Sequence, residues 1–148
     1  MSEKIIYDKA KYHIEGDFPE DLDEKQAYVL TGFFVTWLSL NELFSDLIIT
    51  DYKEKFDNLK NKEISPSDFY KAIGGVFSED MLTQEGNLFT QQYFDFDNGQ
   101  YLDDYDYLLS EKLPSFFHVA DTWENYEIIS TKINSRFIGW EKNRKKES

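Results

Sequence analysis

An all-α fold, or one nearly so, packed as a compact multi-helix single domain is what this sequence predicts. Three observations carry that expectation. Apolar residues recur at helical spacing, with Ala27, Leu30, Phe33, Phe34, Trp37 and Leu38 forming one wide face. Helix-start signals precede such stretches, the strongest being Ser65-Pro66-Ser67-Asp68: cap, proline in the first turn, then an acid. Finally, the 148 residues are 41% apolar and include 13 Phe, 10 Tyr and 3 Trp, too many rings for a disordered chain despite its charge. A chain of this length buries about two thirds of its unfolded surface and needs no staples. No internal repeat, low-complexity linker or second domain interrupts residues 1–148.

The elements follow in order. Residues 1–22 read as a loop or arm wrapped onto the core, with room for one short strand. Asp23 with Gln26 three residues on makes a capping-box start for the central core helix, DEKQAYVLTGFFVTWLSLNEL. Gly32 inside it costs about 1 kcal/mol relative to alanine, which points to close packing by another element. SDLIITDYKEKFDNLKNK reads as one helix with Ile48, Tyr52, Phe56 and Leu59 inward and lysines near its end. The helix begun at Ser65 is short, because Gly74-Gly75 ends it. SEDMLTQEGNLFTQQYF is a further start and helix carrying Leu88, Phe89 and Tyr93. Asn98-Gly99 signals a turn, and YLDDYDYLLSEKL a helix stopped by Pro114. PSFFHVAD is a buried connector. Asp121 is the expected cap of the last helix, whose inner stripe is Trp123, Tyr126, Ile129, Ile133, Phe137 and Trp140. Residues 142–148 form a basic tail suited to the negative pole of that helix.

Charge narrows the class of function. Twenty-nine acidic residues against 16 basic ones give −13, a surface that repels nucleic acid and anionic lipid and steers toward basic partners. Solubility is the plainer use of such acidity. Cysteine is absent, which removes disulfide and thiol chemistry and fits a reducing cytoplasm. The opening MSEKIIYDKAKYH lacks the apolar core of a signal peptide, and the longest apolar runs are too short to span a bilayer. A cytoplasmic protein is the expectation.

The stretch QYFDFDNGQYLDDYDYLL sets five aspartates among six aromatic rings. Its Asp95-x-Asp97 opening resembles a calcium loop, but the fifth position is Gly99, the sixth is Gln100 and the twelfth is Asp106, so the ligand and glycine pattern fails. A solvated corner between helices is expected instead. Asp103 and Asp106, three apart, share a helix face, and tyrosines among the carboxylates suit a protein interface. Asp95, Asp97, Tyr101, Asp103, Asp104 and Asp106 are therefore the expected contact residues, with Glu20 and Asp21 of the acidic run EGDFPEDLDE as a second patch. Acids near a helix start are explained by the helix dipole, which accounts for Asp23 and Glu24 better than for Glu15 and Asp17.

A competing constellation is His13 with Glu15 and Asp17, and His118 with Asp121, which would supply a base or metal ligands if the arm and the 115–121 connector met. Neither histidine stands in a recognised ligand spacing, and no nucleophile elbow or phosphate-cradling glycine loop is present. Partly buried, hydrogen-bonded rings are the plainer reading. No catalytic residue, metal or cofactor is expected.

Three segments carry a resemblance: His13-Ile14-Glu15-Gly16-Asp17-Phe18-Pro19, Gly32-Phe33-Phe34-Val35-Thr36-Trp37, and Phe117-His118-Val119-Ala120-Asp121-Thr122-Trp123-Glu124-Asn125-Tyr126. They resemble a family of small acidic bacterial proteins of unassigned biochemical function. Its members typically show a His-x-x-Gly-Asp-Phe-Pro start, a Gly-x-Phe-x-x-Trp helix and a Tyr-His-Val-Ala-Asp-Thr-Trp-Glu-Asn-Tyr-like segment. Phe117 replaces the tyrosine of that last pattern, which puts hydroxyl chemistry there in doubt. The family is similar to proteins of toxin–immunity loci, so the resemblance implies a basic partner, a cognate toxin such as a nuclease. A structural or regulatory helical module, and a homodimer seam built from the excess rings, are the other binding readings.

Overall fold

The structure is a computed structural model that describes residues 4–147. Its centre is α2, Val29–Leu40, in which every residue from Val29 to Leu38 is buried. A helix buried on all sides is a core helix, as expected, and its burial extends beyond the one wide face read from the spacing. Phe34 is the hub. Its ring lies within 4.8 to 6.3 Å, centroid to centroid, of Trp37, Phe77, Phe89, Tyr93, Phe94 and Tyr101. Gly32 faces α5, Pro66–Ala72, where a Cβ would come 3.0 Å from the Pro66 carbonyl oxygen. The close packing expected from that glycine is thus the α2–α5 contact.

The start of the arm departs from a loop. Ile6–Lys9 forms β1, antiparallel to β2, Val76–Ser78, and Ala10–Ile14 forms a helical turn, α1. β2 falls almost wholly in the gap between two expected helices, overlapping the second only at Ser78. It pairs because Gly74-Gly75 reverses the chain after α5 and brings Gly75 to accept from the Ala10 amide at 2.9 Å.

Asp23 caps as expected, accepting from the Lys25 amide at 2.9 Å, but the turn it opens, Glu24–Tyr28, is 3-10. Gln26 does not close a capping box. Its side-chain amide donates to the Phe117 and Val119 carbonyls, both at 2.9 Å, and ties the connector to the helix entrance. The helix expected over 45–62 breaks at Tyr52 into α3, Asp46–Asp51, and α4, Lys53–Lys60. Tyr52 stands at the break, and it and Phe56, one turn on, both pack on the core as the expected stripe has them. Ser65 caps α5 through a full capping box with Asp68.

Thr83 caps α6, Gln84–Tyr93. The helix expected over 101–113 is shorter and irregular: α7, Tyr101–Tyr105, runs into a π-type turn at Asp106–Ser110. That widening lets Leu108 and Leu109 both pack on the core and throws Tyr107 into solvent at 73% exposure. The last helix, α8, spans Trp123–Glu147. Tyr126, Ile129 and Ile133 are buried as expected, while Trp123, Phe137 and Trp140 are half-buried. Thr122, not Asp121, is its cap, accepting from the Asn125 amide at 3.1 Å. The basic residues 142–146 are part of this helix rather than a tail. Among the described residues no helix is long and apolar enough to cross a membrane.

Burial holds the hydroxyls of Tyr101 and Tyr105 well above the ordinary tyrosine range, and raises Tyr70, Tyr93 and Tyr126 in the same direction. A folded value above the unfolded one, about 10, stabilises the fold below that pH and is lost as pH rises through and beyond it. Alkaline titration followed by tyrosinate absorbance is expected to show these five ionising together, in one step with loss of helical circular dichroism. Separately, Gly139 lies inside α8 with open space where a Cβ would stand. Gly139→Ala is expected to stabilise by about 1 kcal/mol, read as a higher midpoint in urea.

Candidate interaction surface

The acidic corner is built by its own backbone. Asp95 accepts from the Asp97 amide at 3.0 Å and from the Asn98 side chain at 3.4 Å, closing an Asx-type turn. Gly99 then donates to the Asp95 carbonyl at 2.7 Å, and a Cβ there would run into the Tyr93 carbonyl. The Asp95 carboxylate is therefore engaged in shaping the turn, as a corner between helices requires.

Of the six expected contact residues in this stretch, Asp95, Asp97, Asp103 and Asp106 are exposed. Two are corrected. Tyr101 is fully buried and donates to the Leu30 carbonyl at 2.5 Å, because it belongs to the core stripe of α7. Asp104 is buried as well. It accepts from the Tyr93 hydroxyl at 2.7 Å and forms a bidentate pair with Arg136 of α8, Nε to Oδ2 at 3.0 Å and Nη2 to Oδ1 at 2.9 Å. These bonds hold the Arg136 guanidinium above its ordinary value. Neither residue can meet a partner while the protein is folded. Tyr107 can, and it was missed. It falls outside the apolar stripe of Tyr101, Tyr105 and Leu108, next to Asp106, and that off-stripe position was the readable signal.

Glu20 and Asp21 are exposed, as are Glu15 and Asp17. A run of ring contacts joins this acidic stretch to the acidic corner: Phe96 to His13 at 6.2 Å, His13 to Phe117 at 5.6 Å, and Phe117 to Phe18 at 5.0 Å. Phe96 sits between Asp95 and Asp97, and Phe18 follows Asp17, so two acidic segments distant in sequence border one aromatic seam. The ion pairs Lys4–Asp80, Lys25–Asp68, Lys25–Asp121, Lys53–Asp57 and Arg136–Asp104 take none of Glu15, Asp17, Glu20, Asp21, Asp95, Asp97, Asp103 or Asp106. A groove of about 370 Å³ adjoins the corner, lined by Ile5, Ile6, Phe94 and Phe96 together with Asp95 and Asp97.

The arm and the connector do meet, through the His13–Phe117 contact, but the competing constellation does not gather there. His13 Nε2 lies 2.9 Å from Asp8 Oδ2, a buried carboxylate that also accepts from the Thr31 hydroxyl at 2.5 Å. His118 Nδ1 lies 2.9 Å from the Ser115 hydroxyl within its own turn. Asp121 accepts from the Ser67 amide at 3.2 Å and from the Ser67 hydroxyl, with Lys25 Nζ at 3.6 Å. It therefore satisfies a free amide in the first turn of α5, beside the Ser65 cap, rather than capping α8. Glu15 and Asp17 stay at the surface. Among the described residues no three His, Asp or Glu side chains are arranged to hold a metal.

Removing Arg136 strands the buried Asp104 carboxylate. Arg136→Met is expected to cost about 2 kcal/mol, below the range for a fully buried pair because the guanidinium is partly exposed. Adding Asp104→Asn, which can still accept from Tyr93, is expected to recover at least half of that loss in urea denaturation.

No curated protein and no solved structure matches the chain. Residues 6–119 match the family described as Domain of unknown function (DUF7832), a span from β1 to Val119 within the connector that leaves α8 outside it. The match covers well over half of the sequence, and the chain belongs to this family.

Proposed function

We propose that the protein works by binding rather than catalysis: its acidic face docks on a basic protein and occludes it. The observation that supports this most is the set of exposed, unpaired carboxylates from residues 15–21 and 95–106 bordering one aromatic seam. Charges of one sign, unneutralised within the chain, accelerate encounter with an opposite surface. The groove beside Asp95 and Asp97 and the exposed Tyr107 ring offer the apolar anchoring that charge cannot supply, since affinity concentrates in a few buried contacts.

The kind of partner follows from the resemblance to small acidic proteins of toxin–immunity loci. In this reading the protein is an immunity-type inhibitor acting in the cytoplasm on a basic toxin. A nuclease fits well, because a surface that grips phosphates is basic and an acidic partner can cover it.

The test is co-expression with the product of the adjacent gene, expected in this reading to be basic, followed by association kinetics of the purified pair. Binding is expected to be salt-sensitive, with an association rate that falls about tenfold or more when Asp95, Asp97, Asp103 and Asp106 are changed to lysine. Tyr107→Ala is expected to raise the dissociation rate instead. Absence of a complex, or a quadruple variant that folds and associates at the original rate and salt dependence, would refute the proposal.

A further inference from the structure

The basic residues of this acidic chain are not spread evenly. From Ile129 onward there are six basic and two acidic residues, and both arginines of the chain, Arg136 and Arg144, lie there. Lysines and arginines at the end of a helix answer its dipole, which accounts for Arg144 to Lys146. It does not account for Lys132 and Arg136, several turns earlier, where the field of the helix end has faded.

Lys132, Arg136 and Trp140 recur every four residues, so they share one face of α8. That face borders a cleft of about 260 Å³ against α6, which Gln92 and Gln100 also line. A second hollow of about 400 Å³ continues it past Trp140 and Asn143 to Arg144 and Lys146. No carboxylate lines either hollow, in a chain with 29 of them. Arg136 is held in place by Asp104 through Nε and Nη2, which leaves the Nη1 donors outside that pair and the side chain partly exposed at the cleft. A guanidinium fixed beforehand loses little freedom when it takes an oxyanion.

Gly139 is the second line of argument. It weakens the middle of a long helix, yet nothing stands where its side chain would be, so no close packing requires it. It lines the cleft, and any larger residue would fill that space.

We propose that the α6–α8 groove binds a small phosphomonoester. Lys132 and the free side of Arg136 take the phosphate, while the amides of Gln92, Gln100 and Asn143 meet the polar groups of the ester. The cleft exceeds a bare phosphate but falls short of a large cofactor, which sets the size class. This site uses none of the exposed carboxylates of the docking face and stands or falls separately from it.

The test is calorimetry and tryptophan fluorescence on the full chain, with adenosine monophosphate, a pentose phosphate, orthophosphate and unphosphorylated adenosine. At least one of the two esters is expected to bind saturably. Affinity is expected to drop tenfold or more in Lys132→Ala and in Gly139→Leu, the latter without loss of thermal stability. The inference is overturned if neither ester binds at up to on the order of 1 mM, the weak end of specific affinity. It is equally overturned if orthophosphate or adenosine binds as tightly as the esters, or if Gly139→Leu leaves binding unchanged.

Discussion

Ten consecutive residues of α2, Val29 to Leu38, lie buried, so this helix has no side on which to meet water. Every direction around it must be covered by some other part of the chain. α5 covers it where Gly32 lets two backbones approach. β2 and α6 cover it through Phe77, Phe89 and Tyr93 around Phe34, and α7 through Tyr101. α8 closes the remaining side, with Tyr126 against Phe33, Phe137 against Trp37, and the Trp37 indole donating to Asn134 at 2.7 Å. Rings suit such a task, because each buries a large area with few rotatable bonds and packs edge to face with its neighbours. A single buried helix thus draws the two ends of the sequence onto one core.

Carboxylates then divide into two populations. Three are buried and join segments distant in sequence. Asp8 links β1 to His13 and Thr31, Asp104 links α7 to Tyr93 and Arg136, and Asp121 links the connector to the start of α5 and Lys25. Each has at least two donors, as a charge removed from water requires. Among the acids left at the surface, Glu15, Asp17, Glu20, Asp21, Asp95, Asp97, Asp103 and Asp106 take no part in the ion pairs described above, and they carry the proposed docking face. The Asp104–Arg136 link also crosses the limit of the family match, since Asp104 lies inside it and Arg136 beyond it. α8 is therefore part of the core although the matched span ends before it.

Opposite charges are segregated rather than intermixed. A net charge of −13 would screen an anion site poorly if its carboxylates were near. No carboxylate lines the α6–α8 groove. Asp104 sits behind Arg136 and offsets part of its charge. Lys132 and, past Trp140, Arg144 and Lys146 therefore supply most of the local positive field within a screening length of about 8 Å at physiological salt.

Helix content, the buried stripe of α8, the Ser65 start and the role of Gly32 were legible in the residues, because each rests on local spacing or local backbone chemistry. The two-stranded sheet was only half legible: an N-terminal strand was open, but Val76-Phe77 carried no signal of their own, and β2 exists because Gly74-Gly75 turns the chain toward Ala10. Which aspartates face solvent was not legible either. Asp103, Asp104 and Asp106 look alike in a row, and burial of Asp104 depends on an arginine 32 positions away arriving with its guanidinium in register. Asp121 and Gln26 misled for the same reason, since both had a suitable local use and took a distant one. Local patterns report what a short segment can do alone. The choice among equivalent polar groups is made by which donors the packed core leaves within reach, and that is a property of the whole fold.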